Sequence, residues 1–240
     1  MPRTAAQPLQ QPPPHRPLNR DVILDRAVAL IEAEGPGALS MRRLGASLGV
    51  EAMAIYHHFA GRDELLSAIG DRLLEPLHEI ELGDDWREAC RTFATALRNV
   101  AVARPATFQL LGLQPFDTHS ALGPVERLLN VLVTAGFTPA GALAVYRATV
   151  SYARGYALAE ATGFTVDAAR PPGRRRLGTL PREQFPILAG KAREMAALDA
   201  DTGYELGLNA LLSGFTDPGV AEHKPGNRRR KKLRASRPPG

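Results

Sequence analysis

Residues 39–66 read LSMRRLGASLGVEAMAIYHHFAGRDELL, and this stretch decides the fold. Ser40 is a good N-cap, because its hydroxyl can accept a backbone N–H of the first helical turn. Met41, Leu44 and Leu48 then follow at helical spacing and form an inward row. Gly49 supplies the left-handed residue that stops this helix. A second short helix runs from about Glu51 to Phe59, with Ile55 inward, and Ala60–Gly61 end it. Asp63 is a plausible cap for a further helix carrying Leu65, Leu66, Ile69, Leu73, Leu74 and Leu77. Two short helices across a tight turn match a helix-turn-helix unit, in which the second helix enters the major groove of DNA.

The same reading extends outward. Upstream, Asn19 caps a helix with Ile23, Ala27, Leu30 and Ile31 on one face, ended by Gly35–Pro36–Gly37. Downstream, Asp84–Asp85 precede an amphipathic helix with Trp86, Cys90, Phe93, Leu97 and Val100 inward, broken at Arg104–Pro105. Further helices are expected over Thr107–Leu113, Pro124–Ala135, 142–161, Gln184–Leu198 and Asp201–Phe215. A loose loop from Phe164 to Pro186 interrupts them. The fold class is all-α: an N-terminal three-helix helix-turn-helix domain, then a helical bundle. The expected divisions are an arm over 1–18, the DNA-binding domain over 19–66, an effector-binding and dimerisation domain over 67–216, and a basic tail over 217–240.

The chemistry of the short helices suits DNA. Tyr56, His57, His58 and Arg62 cluster at and beyond the end of the second one and offer hydroxyl, imidazole and guanidinium donors to phosphate oxygens. Arg42 and Arg43 can also reach the duplex, and Ser40 adds a hydroxyl. Phe59 reads mainly as core, and Tyr56 has a core reading beside its phosphate one. His57 and His58 are roughly 100° apart on a helix and cannot chelate one metal. No metal and no cofactor is expected.

The run from Leu39 to Leu66 resembles the DNA-binding segment of the TetR family of bacterial transcription regulators. The carrying pattern is Gly49–Val50, then Tyr56-His57-His58-Phe59, a basic Arg62 and Asp63-Glu64-Leu65-Leu66. Asp85–Trp86, the Gly136–Phe137 break and Tyr204–Gly214 resemble the tetracycline-repressor type of C-terminal domain. The resemblance implies that Ala52, Met53 and Ala54 face base edges and that Tyr56, His57, His58 and Arg62 contact the backbone, with Arg42 reaching base or phosphate. The full DNA-facing set is thus Ser40, Met41, Arg42, Arg43, Ala52, Met53, Ala54, Tyr56, His57, His58 and Arg62. Ala52 and Met53 depart from tetracycline repressors, which carry Gln and Pro there. Apolar residues make no bidentate base contacts, so thymine methyls, groove shape or Arg42 must do the reading.

For the second domain the resemblance implies a small-molecule site and a homodimer. His78 falls where tetracycline repressors have a ligand-touching histidine. Their metal-binding histidine aligns with Leu110, and a polar ligand contact with Phe93. The expected pocket is His78, Phe93, Leu97, Leu110, Leu113 and Tyr146, with His78 as polar anchor, and the expected effector is apolar or aromatic. Each of these residues also has an ordinary core reading. Stripes over 142–161 and 201–215 each need a partner face, which two chains could supply as four helices.

Charge restricts the alternatives. The chain of 240 residues has a formal charge of +5. The first 20 residues hold three basic residues and 224–240 hold eight, neither with an acid, so the body over 21–223 carries a net −6. Basic ends attract phosphate without reading sequence, and a DNA-architectural protein using them alone is the alternative function. It would bind without sequence preference and ignore small ligands. An enzyme is not expected, since the sequence has no metal-spaced His/Cys cluster, no Gly-x-Ser-x-Gly, no P-loop and no dinucleotide fingerprint. Cys90, the single cysteine, sits on an apolar stripe and reads as packed. One cysteine and no long apolar run point to a cytoplasmic protein without a membrane span.

Overall fold

The computed structural model describes residues 17–111, 118–162, 179–195 and 197–216. Most of the two ends, Leu113 and the loop up to residue 178 fall outside this range. The described residues contain helices and no strand. The first group is α1 (Arg20–Glu34), a 3-10 turn at Pro36–Ala38, α2 (Met41–Leu48), α3 (Ala52–Tyr56) and α4 (Arg62–Leu74). The second is α5 (Pro76–Glu79), α6 (Trp86–Ala103), α7 (Pro105–Leu111), α8 (His119–Thr134), α9 (Pro139–Thr162), α10 (Ala192–Met195) and α11 (Ala200–Ser213).

Short polar side chains start most of these helices. The Asn19 carboxamide oxygen accepts from Val22 N at 2.9 Å, and the Ser40 hydroxyl from Arg43 N at 3.2 Å. Asp85 accepts from the backbone N–H groups of Arg87 and Glu88, and Asp199 from that of Thr202. Each satisfies a donor that a helix end leaves open. Gly49 ends α2 at φ +71°, a conformation that a side chain disfavours.

Several boundaries differ from the sequence expectation. Asp63 does not cap α4, which starts one residue earlier behind Gly61. That helix stops at Leu74, because Pro76 begins α5 and cannot donate a backbone hydrogen bond. Helix α8 starts at His119 and not at Pro124: the Thr118 hydroxyl accepts from Ala121 N at 3.1 Å, and Pro124 is carried inside the helix. The helix expected over Gln184–Leu198 shrinks to α10. Turns occupy most of the rest, since Pro186 lacks the N–H and Gly190 packs directly on the Pro186 carbonyl.

One continuous apolar core runs through both parts. Ile23, Ile31, Leu44, Ile55, Phe59 and Leu65 fill the space between α1 and α4, and Phe93, Leu97, Phe108, Leu128 and Leu132 fill the bundle. Helices α6 and α9 pack along each other, with α7, α8 and α11 around them. Trp86 meets Phe137 edge-on at 5.0 Å between ring centres.

The stripes expected to face a second chain are largely used within this one. Ala142, Val145, Ala153 and Ala157 of α9 and Tyr204, Leu208 and Leu212 of α11 are buried. Tyr152 and Tyr156 of α9 donate to the carbonyls of Tyr204 and Ala200, both at 2.8 Å. Gly207 and Gly203, one helical turn apart, leave room for those two phenols. Arg98 of α6 forms a two-pronged pair with Glu160 at 2.7 and 2.9 Å and reaches Asp201 at 2.6 Å. These contacts cover the inner faces of both stripes within the chain, while Leu143 on α9 and Leu206 on α11 stay exposed.

Candidate nucleic-acid interface and effector pocket

Helices α2 and α3 approach closely because of Gly45. A Cβ there would stand 2.9 Å from the Val50 carbonyl oxygen and 3.2 Å from Ala52 N, both backbone atoms. Ile55, at zero exposure, ties α3 to the core, and the rest of that helix faces outward. Met53 is 65% exposed and Tyr56 44%. Arg42, His57 and Arg62 are also exposed, while Ser40, Ala52, Ala54 and His58 are half-buried. Arg43 is exposed but ion-paired with Glu34. Met41 is a correction: it is 8% exposed and belongs to the core, because the first residue of α2 turns its long side chain under the helix and away from solvent. Phe59 is fully buried, which leaves it a core residue.

Two residues outside the expected set hold the end of this unit. Arg20 is the first residue of α1, directly after the Asn19 cap. Its guanidinium lies 4.0 Å from the centre of the Phe59 ring, donates to the His58 carbonyl and pairs with Glu64 at 2.8 Å. Glu64 also accepts from Ala60 N at 2.6 Å. That backbone hydrogen bond, and then Arg20, hold the Glu64 carboxyl below its usual range. The turn from His57 to Gly61 is thus clamped from α1 and α4 together. The available signal was Glu64 placed four residues after Ala60, the spacing of a loop-closing acceptor; nothing local points to Arg20.

In the second domain, a cavity of about 80 Å3 lies among α4, α5, α6, α8 and α9. Leu74, Leu77, Phe93, Leu97, Ala121, Val125, Tyr146, Val150 and Arg154 line it. It therefore brings together Phe93, Leu97 and Tyr146 of the expected pocket, and the rings of Phe93 and Tyr146 meet edge-on at 6.3 Å. Burial raises the Tyr146 phenol above its usual range, so it stays neutral and can donate. Two other residues do not join. His78 is exposed, with Nε2 3.4 Å from the Ser120 hydroxyl and its ring against Gly123. It ties α5 to α8 and does not line the cavity, because Pro76 restarts the helix and turns it outward. Leu110 is half-buried against the core and is not in the lining. Leu113 lies outside the described residues. Arg154 was not singled out by sequence, although Tyr146, Val150 and Arg154 follow at four-residue steps on α9, which was the usable signal.

A larger cleft of about 620 Å3 lies between α1 of the first domain and α4, α5 and α6. Across its edge, Glu32 of α1 accepts from Thr107 N at 2.8 Å, from the Thr107 hydroxyl at 2.6 Å and from Ala106 N at 3.3 Å. A helix of the first group thereby caps the start of α7. On the other side, the Thr118 hydroxyl at the start of α8 donates to Asp71 of α4. Burial pushes the Cys90 thiol up to about 11, which leaves it protonated and unreactive near neutral pH. Among the described residues, no three His, Cys, Asp or Glu side chains converge as metal ligands, and no helix is long and apolar enough to cross a membrane.

Comparison with known proteins agrees with this geometry. Residues 23–69 match the family described as bacterial regulatory proteins, tetR family, and residues 81–217 match the tetracyclin repressor-like C-terminal domain. A transcriptional repressor of Streptomyces coeruleorubidus, DrrR1, is 29% identical over 88% of this chain and 82% of its own length. A transcriptional regulator of Saccharopolyspora erythraea is 30% identical over 82% of this chain and 84% of its own. Among solved structures, ActR of Streptomyces coelicolor in complex with actinorhodin superposes with a TM-score of 0.67 at 27% identity, covering 83% of this chain and 97% of ActR.

Proposed function

This chain belongs to the TetR family of bacterial regulatory proteins, is a DNA-binding transcriptional repressor that responds to a ligand, and on that premise we propose that a small apolar or aromatic molecule entering the α6–α8–α9 cavity releases it from its operator. The carrying observation is the outward row of Arg42, Met53, Tyr56, His57 and Arg62 on a unit clamped by Arg20 and Glu64. A clamped row gives the fixed register that reading a groove requires. Division of labour falls at about residue 66, with DNA read by 19–66 and ligand taken by 67–216. Met53 supplies an apolar contact, so a bidentate base contact falls to Arg42, with Arg62 on the backbone.

The active form is a homodimer acting in the cytoplasm, with no catalytic role. A relative with a ligand, ActR with actinorhodin, supports the effector reading. The outer faces of α9 and α11 support the dimer. Ala144, Ser151 and Gly155 on α9 and Ala210 and Ser213 on α11 are exposed and small, and Leu206 is 60% exposed. Small residues let helices of two chains approach closely, and a dimer presents two recognition helices to two half-sites. Ligand entry shifts the population between dimer forms that differ in the spacing of those helices.

The test is selection of bound sequences from a random DNA pool, followed by gel shift with Arg42→Ala combined with Tyr56→Ala. One preferred, two-fold symmetric site is expected, and the double variant should lose at least about tenfold in affinity. Undiminished specific binding by the variant overturns the site assignment. Sedimentation at micromolar concentration showing only the 25.9 kDa monomer overturns the dimer.

A further inference from the structure

The cleft of about 620 Å3 between α1 and α4, α5 and α6 has no part in the proposed effector role. It shares no lining residue with the smaller cavity. Its volume lies within the ~300–1,000 Å3 of sites that take a drug-sized molecule. Val28, Leu73, Pro76 and Val100 give it an apolar wall, one residue from each of the four helices. Its charges are unequal: Asp25, Glu32, Glu75 and Glu79 stand against Arg72 and Arg104. Arg72 spreads its charge over Asp21 at 2.7 Å, Glu75 at 3.4 Å and Asp25 at 3.6 Å. Glu32 is half-buried and differs in its partners. It accepts from the backbone N–H groups of Ala106 and Thr107 and from the Thr107 hydroxyl. These donors are neutral, so they satisfy the carboxylate without supplying a full countercharge. Oε1 takes two of them and Oε2 takes only Ala106 N, at 3.3 Å, which leaves Oε2 an acceptor position.

We propose that this cleft is a second ligand site, for an organic amine with a broad apolar body. The ammonium bonds to Glu32 Oε2 with Glu79 as the second carboxylate, and the body covers the wall made by Val28, Leu73 and Val100. An ammonium has donors and no acceptor, so it fits walls on which carboxylates outnumber guanidiniums. An anion would meet four carboxylates, and a neutral molecule would leave the Glu32 charge uncompensated. The inference goes beyond the effector reading and stands without it, because the two cavities have separate walls. The amine touches α1 and α4–α6 at once. It therefore favours the arrangement of the two groups seen here over any other, by its difference in affinity for them.

The experiment is titration calorimetry on the full chain near pH 7 with 9-(aminomethyl)anthracene and 4-phenylbutylamine, each against the alcohol of the same skeleton. At least one amine should bind the unaltered protein at least about tenfold more tightly than its alcohol, the factor expected of one charge-assisted hydrogen bond. Glu32→Gln combined with Glu79→Gln should bring the amine down to its alcohol. Ala29→Trp, which fills the cleft from an exposed position on α1, should abolish binding of both. Arg104→Gln, which removes a like charge, should tighten the amine. Binding of neither series, or an alcohol that binds as tightly as its amine, overturns the proposal on the unaltered chain, with no variant needed. An amine preference that survives the double Gln variant overturns the carboxylate assignment, and amine binding untouched by Ala29→Trp overturns the cleft as its place.

Discussion

Glu32 on α1 and Thr107 on α7 are joined twice, through the Thr107 backbone N–H at 2.8 Å and its hydroxyl at 2.6 Å. They lie 75 residues apart and belong to different halves of the molecule. A carboxylate at a helix N-terminus satisfies open donors and faces the positive end of the helix dipole. Helix α7 also touches α9 and α6, so this contact is a candidate route by which a movement of the pocket walls would reach α1. Glu32→Ala should lower stability by ~1.5–3 kcal/mol, the range for losing hydrogen bonds to a charged group. Urea unfolding checks this. Glu32→Gln, which can still accept but carries no charge, should keep most of the stability and leave operator affinity near normal, while weakening ligand-induced release in a gel shift. Release equal to that of the unaltered protein would remove α7 from the coupling route.

Gly45 is where the helix-turn-helix unit tolerates no side chain. A Cβ 2.9 Å from the Val50 carbonyl and 3.2 Å from Ala52 N meets backbone, which cannot move aside cheaply. Gly45→Ala should cost ~1–3 kcal/mol, in the range for forced overpacking, and should displace α3 from α2. Operator affinity should fall while far-ultraviolet circular dichroism stays helical. Full affinity in this variant would mean that the two helices have slack the contact distances deny.

The Glu64 clamp has a defined pH dependence. Its carboxyl sits below the ordinary glutamate value of 4.5, held there first by Ala60 N and then by Arg20. A group depressed in the folded state stabilises the fold above its unfolded value and loses that contribution as pH falls through the folded one. Stability should therefore decline as pH drops below about 4.5. Glu64→Gln should flatten that part of the curve in urea melts from pH 3 to 6. An unchanged slope would show that other carboxylates carry it.

Cys90 gives the opposite sign. Burial raises its thiol from 9.0 to about 11. An acid group raised in the folded state stabilises below the unfolded value and loses that contribution as pH rises. Stability should fall between about pH 9 and 11, and Cys90→Ala should remove part of the fall. At neutral pH the native thiol should react with a disulfide reagent only as fast as the protein opens, and at once in denaturant. Rapid labelling of the native protein would contradict the burial.

Much of this architecture is legible because its signals are local. Asn19, Ser40, Gly49 and Asp85 act on backbone groups within four residues, so reading their neighbours suffices to place α1, α2 and α6. Helical spacing likewise placed Ile55 inward, while the outward set on α3 came from the family resemblance. The misreadings arose where one punctuating residue competes with another. Thr118 starts α8 ahead of Pro124, and Pro186 with Gly190 breaks up a run whose apolar spacing looked helical.

By itself, then, the sequence determined the all-α class, the helix-turn-helix, the family and the chemical types on the DNA-facing surface, because caps, turns and helical periodicity are encoded within a few residues. Only the tertiary structure decided which long-range partner each side chain meets. It put Arg20 in the clamp, turned His78 out of the pocket and Arg154 into its lining, and covered the inner faces of the α9 and α11 stripes within one chain. A helix has several faces, and periodicity says which residues share one. The neighbour that covers that face is set by packing among elements distant in sequence.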